Sequence, residues 1–353
     1  IVDSKLVLKV RKIYMSKTLI KNYQRILIIQ WSAMGDCVLA STTFDDIKQY
    51  FPDAKIDLNT LPPWDQLFIH DHRFHQLISF KIRKQGFKAT KQWLNLLKQE
   101  NYDLIIDFQN SDRSRLMLSI AKIFKFTKAT IIGRSKHWCY DNNIAEQEIT
   151  NNHVVDRYYA ALKSIGIQQL SECPKIIVSD EIAQNIQNQK TKIIQDGNFA
   201  VFVPGCSPQH PQKRWPTQSF IELGQLLFKN NIQHILIIGA QSEADICNEI
   251  AQSDSRFINL CSQTSLLEIP EWLKGASLIV GNDTGTSHMA ASSNSPLIAL
   301  FGPTDPVQSQ PYGSKVIALQ AQNFGNDNKI DQITANDVLT TYQNIFNPSD
   351  KTV

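Results

Sequence analysis

Three short stretches hold residues whose types and spacing could do chemistry. In the first, the apolar run RILII leads through Gln30 to Met34 into Gly35 and Asp36, and a helix-length segment follows. Strand–glycine–helix turns commonly hold phosphate, but a carboxylate there would repel it. Asp36 must therefore do something else: take a proton from a hydroxyl, or cap the helix expected over Cys37–Tyr50. The second stretch, VFVPGCSPQHPQKRWPTQSF from Val201 to Phe220, runs from a strand through Pro-Gly and a polar loop to Lys213-Arg214, ahead of a helix near Thr217. Cations so placed can neutralise a leaving diphosphate, although a lone basic dipeptide is more often a solvated pair. Trp215 reads as a packing anchor. In the third, ASLIVGNDTGTSHMAASSNSPLIALFGPTDP from Ala276 to Pro306, a strand ends at Gly281 and turn-forming residues precede a small-residue helix. Unpaired N–H groups at a helix start attract anions. Gly285 would let a diphosphate approach the backbone, and Thr284 and Thr286 add hydroxyl donors. Asp283 would either cap the helix or accept a sugar hydroxyl.

The elements that must position these stretches alternate along the whole chain. Strands are expected at Ile26–Gln30, Lys55–Thr60, Leu77–Phe80, Leu104–Phe108 and Thr130–Gly133, then at Phe199–Pro204, His234–Gly239, Phe257–Asn259, Ser277–Gly281 and Pro296–Phe301. Helical patterns fit Leu39–Tyr50, Phe87–Gln99, Arg113–Phe124, Thr217–Asn230, Glu243–Gln252, Ser265–Lys274, Thr286–Ser293 and a closing segment Ile330–Phe346. Such alternation predicts parallel sheets with helices on both faces. The α/β pattern makes two doubly wound units joined through the polar, Pro174-containing segment Ile167–Asp180. Their strand ends would face one another across a cleft, where ligands of such sheets bind. The expected division is an N-terminal extension over 1–20, a first domain over 21–170 and a second over 171–353.

Composition excludes several classes. The chain has 353 residues, 42% hydrophobic and 20% charged, with net charge +3. That charge is too mild to argue for nucleic acid. Six scattered cysteines without a Cys-x-x-Cys pair read as reduced thiols. No apolar run approaches the ~20 residues of a membrane span, and IVDSKLVLKVRK does not read as a secretion signal; Met15 is a plausible natural start. Neither the Gly-x-x-x-x-Gly-Lys-Ser/Thr loop nor Gly-x-Gly-x-x-Gly occurs. No two aspartates are separated by one residue, and His70 and His72 around Asp71 read as an exposed polar loop rather than a metal site.

Taken together, the three stretches resemble the ADP-heptose:lipopolysaccharide heptosyltransferase family. The resemblance runs from about Arg25 to about Gly313. It rests on the strand–SAMGDCVLAS–helix opening, YDLIIDFQNSDRSRLM, PGCSPQHPQKRWP and, most specifically, NDTGTSHMAA…ALFGPTDP. It implies a GT-B fold of two Rossmann-like domains and an inverting transferase, with the donor nucleotide on the second domain and the acceptor against the first. By position, Cys206, Ser207 and Lys213 face the donor phosphates. Asp283, Thr284, Gly285 and His288 belong to the diphosphate and sugar site, Glu243 to the ribose and Thr264 to the adenine loop. The same resemblance favours Asp36 as the base over the cap.

The chain also departs from the family pattern. Gly285-Thr286-Ser287-His288 replaces more usual Gly-Pro-Met-His or Gly-Leu-Ser-His, and Cys206 stands where a hydroxyl residue often sits. The longer loop to Lys213 lets Arg214 share the role of the lysine. Near predicted strand ends, Arg113, Arg115, Arg134 and Lys136 are the acceptor candidates. The basic segment Lys81–Lys98 could touch anionic lipid, but reads better as a surface helix packed on the sheet. The expected partners are an ADP-sugar and a lipopolysaccharide core acceptor, with no metal or other cofactor and no nucleic acid. The expected location is the cytoplasm, with peripheral contact at the inner-membrane surface left open. A nucleotide-sugar epimerase and a non-catalytic sugar-nucleotide-binding protein are the competing functions.

Overall fold

The computed structural model describes residues 21–346 apart from 81, 196, 208 and 326, and the side chains of 82–85 and 87 are not described. The expected N-terminal extension over 1–20, with Met15 in it, therefore lies outside the described residues, as does the end of the second domain beyond 346. Two parallel sheets form the frame. The first has the order β3-β2-β1-β4-β5, with β1 Arg25–Ile29, β2 Lys55–Thr60, β3 Gln76–Ser79, β4 Leu104–Asp107 and β5 Thr130–Gly133. The second has the order β11-β10-β9-β6-β7-β8, with β6 Phe199–Val203, β7 His234–Ile237, β8 Phe257–Asn259, β9 Leu278–Asn282, β10 Leu297–Phe301 and β11 Val316–Gln320. Every strand pair is parallel. The central strands are buried on both faces, which is why they read as unbroken apolar runs.

Both sheets are wound outward from their middle, so each has one point where the direction of winding reverses. In the first sheet that point lies between β1 and β4; in the second it lies between β6 and β9. A crevice opens outside the strand ends at such points. Asp36 follows β1, the 205–214 loop follows β6 and Asp283 follows β9. All three chemically suggestive stretches thus sit at a switch point.

The helices are α1 Met34–Ala40, α2 Phe44–Tyr50, α3 Ile82–Glu100, α4 Asp112–Ile123, α5 Val154–Lys163, α6 Asp180–Ile194, α7 Thr217–Lys229, α8 Ala244–Gln252, α9 Ile269–Leu273, α10 Gly285–Ala291, α11 Pro306–Ser309 and α12 Ala335–Ile345. Several expectations need correction. The first helix was expected from Leu39 but starts at Met34, and a short 3-10 turn at Ser41–Thr43 divides it from α2. Its N-cap is Ala33, with no side-chain cap bond, so Asp36 lies inside the first turn and is not the cap. Strand β11 and helices α5 and α6 were not anticipated: VIALQ is only half-buried at the sheet edge and gives a weak alternation signal. Helix α3 is broken at Gly86 (φ 47), where the expected helix began.

Segment 168–179 joins the units and is fastened to the first. Asp46 accepts from the backbone N–H groups of Leu170 (2.9 Å) and Ser171 (3.2 Å) and from the Ser171 hydroxyl (2.8 Å). Helix α6 then belongs to the second unit, where the Lys190 ammonium donates to the Glu271 carbonyl (3.1 Å) and to that of Lys274. Helix α12 closes the second unit against α7.

Candidate active site at the meeting of two helix tips

On the first domain, the loop after β1 is held rigidly before α1 begins. The indole N–H groups of Trp31 (2.9 Å) and Trp93 (2.8 Å) both donate to the Asn59 side-chain oxygen. Gln109 Oε1 accepts from the Trp31 backbone N–H (2.7 Å) and from the Ser32 hydroxyl (2.8 Å). This fixes Asp36 one turn further on. Burial pushes the Asp36 carboxyl above its ordinary range, while Arg134, the Ser32 hydroxyl and Arg157 pull the other way. The result is a carboxylate that is a better base than an exposed one, yet has cations beside it to keep it ionised.

Of the four expected acceptor residues, only Arg134 is among these neighbours. Its guanidinium lies 4.9 Å from the centre of the buried Tyr158 ring and donates to the Gln109 carbonyl (3.3 Å). Arg113 and Lys136 are exposed, and Arg115 pairs with Asp112 (2.5 Å) on the outer helix α4. The sequence reading missed Arg157 on α5 because it missed α5. The signal was present: an arginine flanks the apolar stripe of Val154, Val155, Tyr158, Tyr159 and Leu162, all buried. The Nε atoms of Arg134 and Arg157 are buried without a hydrogen-bond partner among the described residues.

On the second domain, one residue unites the loops. Asn282 is fully buried at the end of β9. Its amide donates to the carbonyls of Pro204 (2.8 Å) and Gly205 (3.2 Å), and its oxygen accepts from the Trp215 N–H (3.0 Å). Trp215 is fully buried and bonds the Ile333 carbonyl (2.7 Å), the anchor the sequence suggested. The helix α10 cap is Thr284, which accepts from the Ser287 N–H (3.4 Å). Asp283 is therefore not the cap. It takes the Lys213 ammonium instead, at 2.5 Å.

The remaining donor candidates fall around this pair. Ser207 is exposed at the loop tip, and the buried Cys206 thiol donates inward to the His210 carbonyl (3.3 Å). Glu243 is half-buried and accepts from the Ala240 N–H (2.7 Å). It is neither a solvated residue nor free on both oxygens. Burial raises its carboxyl above the usual range, against the Ala240 bond and the charge of Arg214. Its carboxylate fills the space a side chain at Gly205 would need, so a larger residue there would displace Glu243. Thr264 is half-buried in the loop after β8. Arg214 lines a cavity of about 570 Å³ with Gln212, Pro303 and Lys329.

The two half-sites touch through glycines. A Cβ on Gly35 would lie 2.7 Å from His288 Cδ2, and one on Gly285 would meet Met34. The tips of α1, which carries Asp36, and of α10, which follows Asp283, thus approach to backbone distance. Burial, His153 and Lys213 hold the His288 imidazole down, to about 4, against the pull of Asp283. It is neutral at physiological pH. Beside it, His153 caps α5 through Nδ1 (3.2 Å), donates from Nε2 to the Gln310 carbonyl (2.9 Å) and stacks on Tyr312, fastening the domains. His70 and His72 are exposed, while Asp71 between them is bound by Arg73 at 2.5 and 2.8 Å. Among the described residues no group of three or more His, Cys, Asp or Glu side chains could hold a metal ion.

The sequence pattern of glycosyltransferase family 9 (heptosyltransferase) matches residues 92–338. The chain belongs to this family. It is similar to lipooligosaccharide heptosyltransferase 2 of Haemophilus ducreyi, with 28% identity over 85% of this chain and 90% of that protein. It is also similar to lipopolysaccharide heptosyltransferase 1 of Escherichia coli O18:K1:H7, with 26% identity over 89% and 95%. Among solved structures, E. coli heptosyltransferase WaaC with ADP has a TM-score of 0.71 at 25% identity, over 91% of this chain and 99% of that one. The same protein with ADP-2-deoxy-2-fluoro heptose has a TM-score of 0.69 at 26% identity and the same coverage. As a family 9 glycosyltransferase, the chain carries its cleft between two parallel-sheet domains. Each domain contributes the loops at its own switch point.

Proposed function

We propose that this glycosyltransferase moves a heptose from ADP-heptose to the inner core of lipopolysaccharide with inversion at the anomeric carbon. The observation that carries the reading is the placement of Asp36. A half-buried carboxylate of raised proton affinity sits in the first turn of α1, whose tip packs against that of α10, the helix that follows the Lys213–Asp283 pair. In this reading Asp36 removes the proton from an acceptor hydroxyl as its oxygen attacks the anomeric carbon. ADP leaves from the opposite side, its charge met by Lys213 with Arg214 behind it. Asp283 releases Lys213 to the diphosphate and turns to the sugar hydroxyls. Ser207, Thr284 and the Gly285 backbone line the phosphate path, Glu243 offers its remaining oxygen to the ribose, and Thr264 borders the adenine. Neutral His288 packs under the sugar. Cys206 acts by closing its own loop rather than by touching phosphate. Arg134 and Arg157 face the acceptor.

The donor and acceptor follow from the likeness to proteins named for heptose transfer and to one solved with an ADP-heptose analogue. We place the boundary between acceptor and donor domains near residue 170, within the segment that joins the two units. The acceptor is lipid-borne, so the enzyme works from the cytoplasm against the inner membrane. The test is incubation with ADP-heptose and truncated core acceptors, read by mass spectrometry, with and without EDTA. Acceptor gains one heptose in both arms. Conversion of the nucleotide sugar without acceptor would favour an epimerase, and binding without turnover would leave only a sugar-nucleotide-binding protein. Loss of transfer in EDTA, restored by magnesium or manganese, would overturn the assignment of diphosphate neutralisation to side-chain cations.

A further inference from the structure

The four most exposed large apolar side chains among the described residues share one face of the first domain. Leu116 is 62% exposed, Ile123 62%, Phe124 68% and Trp138 58%. Leu116 and Ile123 stand seven residues apart on α4 and so point the same way. Phe124 is the C-cap of that helix. The loop carrying Trp138 is stitched along α4: the Ser135 hydroxyl donates to the Asn110 side chain (2.6 Å) just before the helix, and Lys122 near its end pairs with Asp141 (2.6 Å). By contrast, the basic segment Lys81–Lys98 buries its described apolar face, with Trp93 and Leu97 fully covered. From Lys88 to Lys98 it is an ordinary packed helix.

The charge of this stretch of chain, of which only Arg134 turns to the cleft, is equally uneven. Residues 112–141 contain seven Lys and Arg against two Asp, a net +5, whereas the whole chain carries +3. The rest of the chain is therefore net negative. Both carboxylates are already engaged, Asp112 by Arg115 and Asp141 by Lys122. Arg113, Lys125, Lys128 and Lys136 are exposed and form no ion pair among the described residues.

We propose that the outer face of α4 and the Trp138 loop dock the enzyme on an anionic lipid bilayer. A second copy of the chain would set one strongly positive face against another, which like-charge repulsion disfavours. A bilayer with anionic headgroups accepts both features: apolar side chains enter the headgroup boundary while the cations meet lipid phosphates. The start of α4 adjoins Gln109 and Arg134, which border Asp36. Docking there brings the acceptor half of the cleft to the membrane edge. The inference rests on the reading of a lipid-borne acceptor for its purpose, but not for its evidence.

The test is co-sedimentation of the full chain with vesicles of phosphatidylcholine, alone or mixed with phosphatidylglycerol. The protein binds the mixed vesicles at low salt, releases them at high salt and leaves pure phosphatidylcholine largely free. Lys125→Gln with Lys128→Gln lowers binding by about 25-fold, at roughly five-fold per basic residue. Phe124→Ser with Trp138→Ser lowers it too, while keeping the salt dependence. Thermal midpoint, ADP affinity and turnover on a soluble deacylated acceptor stay unchanged in both variants. Failure of the wild type to bind anionic vesicles overturns the proposal. So does equal binding by either variant, or a wild-type dimer that Phe124→Ser with Trp138→Ser dissociates. Vesicle binding without heptose transfer would instead overturn the functional reading and leave the docking face intact.

Discussion

The two halves of the cleft are built differently. In the donor half, polar groups are largely tied to one another: Asn282 to three backbone groups, Lys213 to Asp283, Thr284 to Ser287 and Glu243 to Ala240. In the first domain, two buried arginine Nε atoms have no hydrogen-bond partner among the described residues, beside a carboxylate of raised proton affinity. Buried polar groups normally find partners. On the proposed reading, the second domain is a rigid cradle whose ligand replaces existing bonds, and the first is polarised around the carboxylate assigned as base. Arg214 Nε and His288 Nδ1 are the exceptions on the donor side. Binding and chemistry should accordingly fail separately when each half is changed.

The largest effect should come from Asp36→Asn. General-base catalysis contributes ~10²–10⁴ in rate, so transfer should fall by about that factor. Ala33, not Asp36, holds the cap position, so the substitution removes no cap bond and the thermal midpoint should hold. ADP affinity should also hold, because the proposed donor contacts come from the other domain. Turnover, calorimetry and a melt on one preparation decide it. A folded variant with near-normal turnover removes Asp36 from the chemistry.

Lys213→Ala should do the opposite, weakening ADP before it touches the proton transfer. A charge-assisted bond contributes about 1.5–3 kcal/mol, so ADP affinity should drop roughly ten-fold or more. Part of that loss has a second origin: the substitution leaves Asp283, only 9% exposed, without its cation and facing a dianionic ligand. Adding Asp283→Asn should therefore recover some ADP affinity while sugar transfer stays poor. If the double variant binds ADP no better than the single one, the pair does not act as a switch.

How much of this was legible in the sequence depended on the local signal. The strands of both sheets except the half-buried edge strand β11 were, because fully buried parallel strands such as FAVFV are unbroken apolar runs. Asp283 and Thr284 were placed in the right loop but with their roles undecided. Two adjacent cap-type residues look alike until the Thr284–Ser287 and Lys213–Asp283 contacts distinguish them. The start of α1 was hidden because Ala33 is a poor cap type and Ser32, the better one, bonds Gln109 instead. Arg157 and His153 came to the cleft on a helix that was not recognised. The contact of Gly35 with His288 spans 253 positions of chain, and no local pattern encodes it.

The smallest expected effect is also the most specific to the seam. His288 lies where the tips of α1 and α10 meet, 7% exposed, and its pKa of about 4 lies below the ordinary 6.5. Above pH about 6.5 neither the folded nor the unfolded chain protonates it, so it has no effect on stability there. Between about 6.5 and 4 the unfolded chain takes the proton and the folded one refuses it, so stability falls as pH falls. His153 is lowered as well and adds to the same limb, whereas raised carboxyls such as Asp36, Asp107 and Glu243 oppose it by favouring the folded state at low pH. The wild-type curve alone therefore mixes signs. The difference between wild type and His288→Gln isolates the imidazole: relative to the variant, the wild type should lose on the order of 2 kcal/mol between pH 7 and pH about 4.5. Denaturant melts of both apo proteins across that range measure it. Parallel curves would mean that protonated His288 is accommodated, and that the two helix tips part readily in the unliganded enzyme.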